Sequence, residues 1–305
     1  MMKGTAEHRM LRRRKTNERV GNLIFLLPAT VLFIIFFILP LCMSFQYSLT
    51  NESTMRSSSE FVGFTNYSKV FEDMMFRSSI QNTLIFAIGT TLLINFFAIL
   101  IAVALGKSNK LNNLFRMLIF IPAVLSPLIV GYLWSYILSP MDSGLLNMML
   151  KNLGLETSYW LGDSNLALPC IMAIHTWQWT GYCAVIYIAN IQTIPEEFYE
   201  AAKVDGATGL QTFFHITLPS MLPSIKVNMI IFMISGLKVY DIVVSTTGGG
   251  PGYATTTITK AILDRGISMG QYGYASALAI VLFVIIFAIT MVQLKLIGKW
   301  DKIND

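Results

Sequence analysis

The sequence predicts an all-α integral membrane protein with six transmembrane helices and both termini in the cytoplasm. Three observations support this fold class: a low share of charged residues, a series of long apolar runs, and an uneven distribution of Lys and Arg. Of the 305 residues, 54% are hydrophobic and 13% are charged, and the mean hydropathy is +0.60. Soluble domains carry about 25% charged residues. The composition therefore favours a polytopic membrane protein over a soluble one.

The apolar runs indicate where the chain crosses the membrane. An α-helix rises about 1.5 Å per residue, so about 20 apolar residues cross about 30 Å of hydrocarbon. Five runs without a formal charge are long enough: Leu23–Leu41, Leu84–Leu105, Met117–Leu138, Leu166–Ile191 and Tyr274–Leu294. One more span is predicted at Met221–Ser245, although Lys226, Lys238 and Asp241 interrupt it. Backbone groups in lipid must be bonded within each segment, which favours helices over short strands.

The distribution of Lys and Arg gives the orientation. Seven basic residues precede the first run, and a basic cluster beside a span is typical of the cytoplasmic side. With six spans, the segments predicted to lie inside hold 15 Lys and Arg residues, and those outside hold 6. We therefore expect cytoplasmic tails at 1–22 and 298–305, a transmembrane domain at 23–297, and a cytoplasmic loop at 192–220. The first run is too long for a typical signal-peptide core and lacks a small-x-small cleavage site.

Several classes of function are disfavoured. The basic tail lies beside a span, where it serves orientation, so we expect no nucleic-acid partner. The three cysteines lie in or beside apolar runs and the three histidines are scattered, which predicts neither disulfides nor a metal site. Gly106-Lys107-Ser108 resembles a phosphate-binding loop, but Ile101 stands where that motif requires glycine. We therefore expect no ATP hydrolysis by this chain.

The segment between the fourth and fifth predicted spans has the most specific local pattern. Thr193 stands three residues before Glu196, the spacing of a capping box, and Gly206 predicts the end of that helix. Thr208 predicts the start of a second short helix, which we expect to end at the Leu-Pro pair at 218–219. Helices of about ten residues are too short to be stable alone in water. The pair must therefore pack against something else.

This segment is also acidic. Residues 195–209 carry a net charge of −3, against the positive charge typical of cytoplasmic loops. We therefore expect a basic surface on a partner. The alternative is a solvated connecting loop. Such a loop would need neither the cap, nor the stop glycine, nor the apolar face that the spacing of Leu210, Phe213 and Phe214 predicts for the second helix.

A known motif lies within this segment. The EAA motif of binding-protein-dependent ABC importer permeases is matched, in residue type and in spacing, by Glu200, Ala201, Ala202, Gly206, Ile216, Leu218 and Pro219. A second block, with GLKVYD at 236–241 and TGGGP at 247–251, resembles the oligosaccharide permeases of the maltose and multiple-sugar type. The resemblance extends over residues 23–297.

The resemblance implies the type I ABC importer permease fold and a function. In this family two permease subunits form the pathway, and each EAA loop inserts as a coupling helix into a cleft of an ATP-hydrolysing subunit. The resemblance implies a permease subunit in a bacterial cytoplasmic membrane that imports a sugar or oligosaccharide. Its implied partners are a second homologous permease, a cytoplasmic ABC ATPase dimer and an extracytoplasmic solute-binding protein. ATP and Mg would bind to the ATPase, with no cofactor on this chain.

The EAA residues would have separate roles under this resemblance. Glu200 would contact a basic or polar group on the ATPase. Gly206 would allow a turn that residues with a Cβ atom adopt only at a cost. Closure of the ATPases on ATP would then move the spans between inward and outward access.

Two predicted spans contain candidate substrate-pathway residues. Lys238 and Asp241 are three residues apart, so we expect them to share a helix face, with Tyr240 between them. Intramembrane ionisable groups are often functional, so this pair is one candidate for the pathway. An ion pair at the outer interface is the alternative, and both interpretations remain open.

The fourth predicted span contains an aromatic and polar patch, which could hold a neutral sugar on ring faces and amides. Its residues are His175, Trp177, Gln178, Trp179 and Tyr182. Interfacial Trp belts and helix packing are the alternative explanation. The Gly248–Pro251 turn is predicted to lie outside, as a docking site for the binding protein or as a flexible connector.

Two further alternatives concern the cargo and the class of transporter. A glycerol-phosphate ester or another small polar solute could replace the sugar, although a phosphorylated substrate would favour more basic groups in the spans than Lys238. An ion-coupled secondary transporter usually needs buried carboxylates near the midplane, and Asp241 is the candidate here. A membrane enzyme or sensor is disfavoured because no His, Cys, Asp and Glu cluster is visible.

Overall fold

The computed structural model describes residues 22, 25–55, 58–141 and 143–304, with side chains described up to residue 296. In chain order its α-helices are α1 (Phe25–Ser48), α2 (Thr65–Glu72), α3 (Met74–Leu105), α4 (Lys110–Val124), α5 (Pro127–Ile137), α6 (Leu145–Asn152), α7 (Ala167–Ile191), α8 (Glu196–Val204), α9 (Gly209–Leu237), α10 (Asp241–Thr246), α11 (Ile258–Leu263) and α12 (Tyr272–Asn304). Across these described ranges the β-type pairing is limited to an isolated bridge between Thr50 and Phe61. The all-α prediction is confirmed.

The long helices agree with the predicted spans in position. By length and composition, α1, α3, α9 and α12 could each cross a membrane, and α4 and α5 could do so as a pair bent by 95°. α7 has 25 residues, but polar residues from His175 to Thr180 interrupt its apolar sequence, and it does not meet the same hydropathy criterion. Five spans are therefore supported by length and composition. The sixth crossing and the side on which each terminus lies stay predictions.

The span predicted at Met117–Leu138 is broken into α4 and α5. Leu125 and Ser126 leave the helical region, with ψ angles of 143° and 135°. Pro127 explains the break, because proline disfavours the helical conformation at the residue before it and cannot donate a backbone hydrogen bond.

The span predicted at Met221–Ser245 also differs from the structure. It begins earlier, as part of α9, and its helix ends at Leu237, with Lys238 to Tyr240 outside the helix. Val239 there is buried, and its carbonyl accepts a 2.9 Å hydrogen bond from Thr257 Oγ1. A buried apolar side chain and a distant donor therefore stabilise a break that sequence hydropathy does not reveal.

Two of the long helices contain a π-turn two residues before a proline. The π-turn at Ile34–Ile38 precedes Pro40 in α1, and the π-turn at Phe213–Thr217 precedes Pro219 in α9. Within an α-helix a proline ring clashes with the carbonyl four residues earlier. The wider turn displaces that carbonyl, so the helix continues through the proline. The prediction that the Leu-Pro pair at 218–219 ends a helix is therefore wrong.

α7 packs closely against α3 and α4 in the interior of the bundle. A Cβ atom at Gly181 would lie 1.7 Å from the carbonyl oxygen of Ile119, so the backbones of α7 and α4 are in contact there. On the other side, the buried hydroxyl of Tyr187 donates a hydrogen bond to Asn95 Oδ1 in α3. This bond between polar side chains joins α7 to α3.

Candidate functional site

The acidic segment forms a hairpin of α8 and the first turns of α9, which we call the hairpin (residues 195–217). Gly206 has a φ of +74°, the left-handed conformation that glycine adopts at little cost. The amide of Ala207 donates to the carbonyl of Ala202 at 2.9 Å, and that of Gly206 donates to Lys203 at 3.1 Å. This pair of bonds is a Schellman motif. The prediction that Gly206 ends the first helix is confirmed.

The two helix starts in the hairpin differ in how they are capped. Thr208 and Gln211 form a capping box, in which the amide of Thr208 donates to Gln211 Oε1 at 2.8 Å. α8 instead begins after Pro195 without a side-chain cap, and Thr193 Oγ1 donates to the carbonyl of Asn190. The capping box predicted at Thr193 is therefore wrong, because the Thr193 hydroxyl bonds backward to α7 rather than forward to α8.

The hairpin surface combines acidic and apolar side chains. Glu196, Glu197, Glu200 and Asp205 are exposed. Four large apolar side chains of the hairpin are also exposed, with exposed fractions from 54% to 88%: Phe198, Val204, Leu210 and Phe214. Exposed apolar side chains beside charged ones are typical of a surface that binds a partner.

A groove of about 460 Å³ runs between the two arms of the hairpin. Among the motif residues it is lined by Ala201, Ala202, Gly206 and Ile216. Glu200 is exposed on the same helix, while Leu218 and Pro219 lie in α9 beyond this groove. The structure thus brings four of the seven motif residues together at the groove, while Glu200, Leu218 and Pro219 lie outside it.

The candidate pathway residues of α7 lie on different faces of that helix. The ring centroids of Trp179 and Tyr182 are 5.9 Å apart, and His175 lies 6.3 Å from Trp179. Trp177 lies on the opposite face, where its ring meets Trp134 edge-on at 5.6 Å. The expectation of one contiguous patch is wrong, because a helical step of 100° turns residue 177 away from residues 175 and 179.

Gln178 and Trp177 have neighbours that differ from those of the aromatic group. Gln178 is fully buried, and its Nε2 donates to the carbonyl of Leu125 at 3.0 Å, at the break between α4 and α5. Trp177 is 45% exposed and lines an apolar groove of about 580 Å³ together with Pro122 and Thr180. Within the aromatic group, Tyr182 is 38% exposed, whereas Trp179 packs against the core shared by α3, α7 and α9.

Lys238, Tyr240 and Asp241 lie at the break between α9 and α10. Because α9 ends at Leu237 and α10 begins at Asp241, Lys238 and Asp241 do not share a helix face, contrary to the prediction. Both side chains are exposed, and no ion pair joins them in the part of the chain that the structure describes. Lys238 continues an exposed strip of α9 that includes Val227 and Ile231.

Two sets of polar contacts were not predicted from the sequence. Asp73 caps α3 through Oδ1, and its Oδ2 accepts bonds from Arg265 at 2.7 Å and from Tyr274 at 2.9 Å. Arg116 and Gln192 donate to backbone carbonyls at the end of α3. Only the capping role of Asp73, directly before a helix, has a sequence signal, because the other partners are distant in the chain.

The described residues contain no group of three His, Cys, Asp or Glu side chains that could hold a metal ion. Cys42, Cys170 and Cys183 are free thiols.

Comparisons with known proteins agree with this geometry. A family model described as "Binding-protein-dependent transport system inner membrane component" matches residues 94–299. The probable ABC transporter permease protein YurN of Bacillus subtilis is 33% identical over 276 residues, which cover 89% of this chain and 94% of the relative. The multiple sugar-binding transport system permease protein MsmF of Streptococcus mutans is 33% identical over 291 residues, which cover 94% and 99%.

A solved structure is also similar over nearly the whole chain. It is a crystal structure of a bacterial alginate ABC transporter in complex with an alginate pentasaccharide-bound periplasmic protein. One of its chains matches with a TM-score of 0.78 and 27% identity over 92% of this chain and 94% of that chain. The relatives are permease subunits, which are not enzymes, and ATP is hydrolysed on a separate subunit. The chain belongs to the binding-protein-dependent transport system inner membrane components, the multi-pass permease subunits of ABC transporters.

Proposed function

We propose that this chain is a permease subunit of an ABC importer and forms part of the translocation pathway for a sugar or oligosaccharide. The relative MsmF is a permease of a multiple sugar-binding system, and the similar solved transporter holds an alginate-bound periplasmic protein. The pathway would form with a second homologous permease subunit. A cytoplasmic ABC ATPase dimer would supply the energy by binding ATP and Mg, and an extracytoplasmic solute-binding protein would deliver the sugar.

In this proposal the chain crosses the membrane six times, with α7 as the sixth crossing. α7 has the length of a span, and its polar residues are mostly buried against other helices, which would shield them from lipid. Both termini would be cytoplasmic, with tails at 1–22 and 298–305 around a transmembrane domain at 23–297. The hairpin, within the loop at 192–220, would then face the ATPase.

The observation that carries the coupling role is the surface of the hairpin. It is a preformed unit held by its own backbone bonds, and it exposes three glutamates beside Phe198 and Leu210. Such a surface would dock in a cleft with basic and apolar groups. Glu200 would meet a basic group there, and Gly206 would keep the two arms at their angle. Ala201 and Ala202 would admit a close approach.

The pathway residues are proposed from the aromatic group and the helix break. Trp179 and Tyr182 meet edge-on, and the partly exposed ring of Tyr182 would suit the apolar face of a sugar. Lys238, Tyr240 and Asp241 lie at an exposed break, where side chains and freed backbone groups could contact a hydrated solute. Trp177 would affect the pathway less directly, through the apolar groove that it lines. Gln178 would do so through its bond to Leu125 at the break between α4 and α5.

Substitution of Gly206 by valine tests the coupling role. The space around a Cβ atom there is open, so the substitution adds backbone strain of about 1–3 kcal/mol without a clash. We expect Gly206→Val to reach the membrane and to uncouple ATP hydrolysis from uptake. Gly154→Val is a matched control, because Gly154 has a φ of +72° and equally open space but lies outside the hairpin.

The measurement uses the importer purified through a tag on this chain and reconstituted in proteoliposomes with its binding protein. A panel of mono- to pentasaccharides is screened for stimulation of ATP hydrolysis, and uptake of the most effective sugar is measured. Unchanged uptake per ATP in Gly206→Val would contradict the coupling role. Failure of every sugar in the panel would contradict the proposed substrate class.

A further inference from the structure

The backbone carbonyls at the end of α3 are bound by a side chain of the next helix. The guanidinium of Arg116 in α4 donates to the carbonyl of Leu105 through Nε at 3.1 Å, and Nη2 of Arg116 reaches the carbonyls of Gly106 at 3.1 Å and Lys107 at 3.2 Å. The last carbonyls of a helix have no partner within it, and a cation there is favoured by the helix dipole. Arg116 therefore fastens the turn between α3 and α4.

The same turn is bound from the base of the hairpin. Gln192, the residue that follows α7, donates through Nε2 to the carbonyl of Gly106 at 3.2 Å. A Cβ atom at Gly106 would lie 3.3 Å from Cγ2 of Ile191, so the turn and the end of α7 are in close contact. One carbonyl, that of Gly106, is thus shared by a donor from α4 and a donor from the hairpin base.

Two more contacts join α4 to α7 farther along both helices. The carbonyl of Ile119 faces Gly181 at a distance that excludes any larger residue, and Gln178 binds the carbonyl of Leu125. The contacts therefore follow α4 from the α3–α4 turn to its break before α5. A displacement of the end of α7 would reach that break along α4, because two direct contacts and the shared Gly106 carbonyl join the two segments.

We propose that Arg116, acting with Gln192, is a positioning residue for coupling. It joins the base of the hairpin to α4, so that a movement of the hairpin reaches the break at Leu125 and Ser126. The inference rests on the proposed function, since it assumes that the hairpin is the element the ATPase moves. Among the described residues, the Gly106 carbonyl accepts side-chain hydrogen bonds from Arg116 and Gln192 alone.

The test compares variants that remove or keep the shared contact. Arg116→Gln removes the charge and the donor geometry, while Arg116→Lys keeps the charge. We expect Arg116→Gln to lower sugar uptake per ATP hydrolysed by about two- to thirtyfold, which corresponds to the coupling energies of about 0.5–2 kcal/mol found for residues between two sites. Arg116→Lys should retain part of the uptake per ATP, since one ammonium can reach fewer of the three carbonyls.

The matched control is Lys110→Gln. Lys110 is the first residue of α4, directly after the α3–α4 turn, and its side chain is exposed. Lys110→Gln therefore removes one positive charge near that turn but leaves the bonds from Arg116 to the carbonyls in place. We expect its uptake per ATP to be unchanged. The double variant Arg116→Gln with Gln192→Ala should lower uptake per ATP by less than the product of the two single-variant factors, because both donors bind one carbonyl.

Each of three results would contradict the inference about Arg116. If Arg116→Gln lowers the amount and melting temperature of the protein while uptake per ATP stays at the wild-type value, Arg116 is only structural and the inference is wrong. Equal losses of uptake per ATP in Arg116→Gln and Lys110→Gln would also overturn the inference, because the loss of one positive charge would then explain both results. If Gly206→Val uncouples the importer and Arg116→Gln does not, the proposed function stands and only this inference fails.

Discussion

The hairpin and the loop at 246–273 are both turn-rich segments between long helices, but they are held by different contacts. The hairpin is closed by bonds between near neighbours, such as the capping box of Thr208 and Gln211. The 246–273 loop is held by residues far away in sequence. Asn82 in α3 donates to the carbonyls of Tyr253 at 2.8 Å and Thr256 at 3.0 Å.

The difference extends to burial. Thr255, Thr256 and Thr257 are almost fully buried, and the amide of Ile258 donates to Thr83 Oγ1 at 3.0 Å. The hairpin instead leaves most of its side chains exposed. In the proposed coupling role, a locally closed and exposed unit would keep its shape while moving against a partner, whereas a loop joined to the bundle would move with the bundle. The flexible-connector interpretation of the Gly-rich turn is difficult to reconcile with these bonds.

The largest expected change in stability comes from removing a distant contact of the 246–273 loop. Asp73→Ala removes the cap of α3 and leaves the side chain of Arg265, which is only 24% exposed, without its carboxylate. We expect a loss of about 2–4 kcal/mol, because a poorly solvated charge loses its partner and a helix loses its cap. The measurement is the melting temperature of the detergent-solubilised protein.

Asp264→Ala is the matched control for Asp73→Ala. Asp264 pairs with Lys260 four residues earlier, so its removal breaks only a contact within the loop. Lys260 is 14% exposed, so Asp264→Ala also leaves a poorly solvated charge without its carboxylate, but Asp264 neither caps a helix nor accepts a bond from Tyr274. We therefore expect Asp264→Ala to lose about 1 kcal/mol less than Asp73→Ala, the typical contribution of a helix cap. Equal melting temperatures for Asp73→Ala and Asp264→Ala would remove the distinction between distant and local contacts.

A smaller and local effect is expected from the hairpin cap. Thr208→Ala removes the side-chain acceptor of the capping box, which costs about 1 kcal/mol. We expect faster hydrogen exchange of the amides at 206–213 with little change in the global melting temperature, since the hairpin opens alone. Thr208→Ser, which keeps the hydroxyl, should exchange like the wild type. A fall in melting temperature equal to that of Asp73→Ala would show that the hairpin is part of the global folding unit.

The smallest expected change in stability accompanies a functional loss. Glu200 is exposed, so Glu200→Lys should leave the melting temperature unchanged. If Glu200 meets a basic group, reversing its charge should weaken docking and lower uptake about fivefold, from about 1 kcal/mol of lost contact. Glu156→Lys, an exposed charge reversal outside the hairpin, should change neither quantity. Wild-type uptake in Glu200→Lys would contradict the proposed docking surface.

Local features of the hairpin were predictable because they depend on a few neighbouring residues. Gly206 was predicted as a helix stop from its residue type, and Thr208 was predicted as a helix start. Thr193 was assigned wrongly because its hydroxyl could bond in either direction along the chain. The helix end predicted at Pro219 is wrong because the helix continues past the proline through a π-turn. A π-turn has no sequence signature beyond the proline itself.

The membrane site was predictable as a set of residues but not as an arrangement. The sequence placed Lys238 and Asp241 in one continuous helix, and the contact between Thr257 and the carbonyl of Val239 accompanies a break there. The sequence predicts one aromatic surface on α7, but Trp177 lies on the opposite face from Trp179.

The sequence by itself determined the all-α membrane class, the approximate positions of the long helices and the closed form of the hairpin. These depend on apolar run length and on local backbone preferences, which neighbouring residues carry. The tertiary structure decided where α4 and α9 end, which faces of α7 meet other helices, and which distant groups Asp73 and Arg116 bind. Those outcomes depend on donors and side chains that are far apart in the sequence, and only packing brings them within bonding distance.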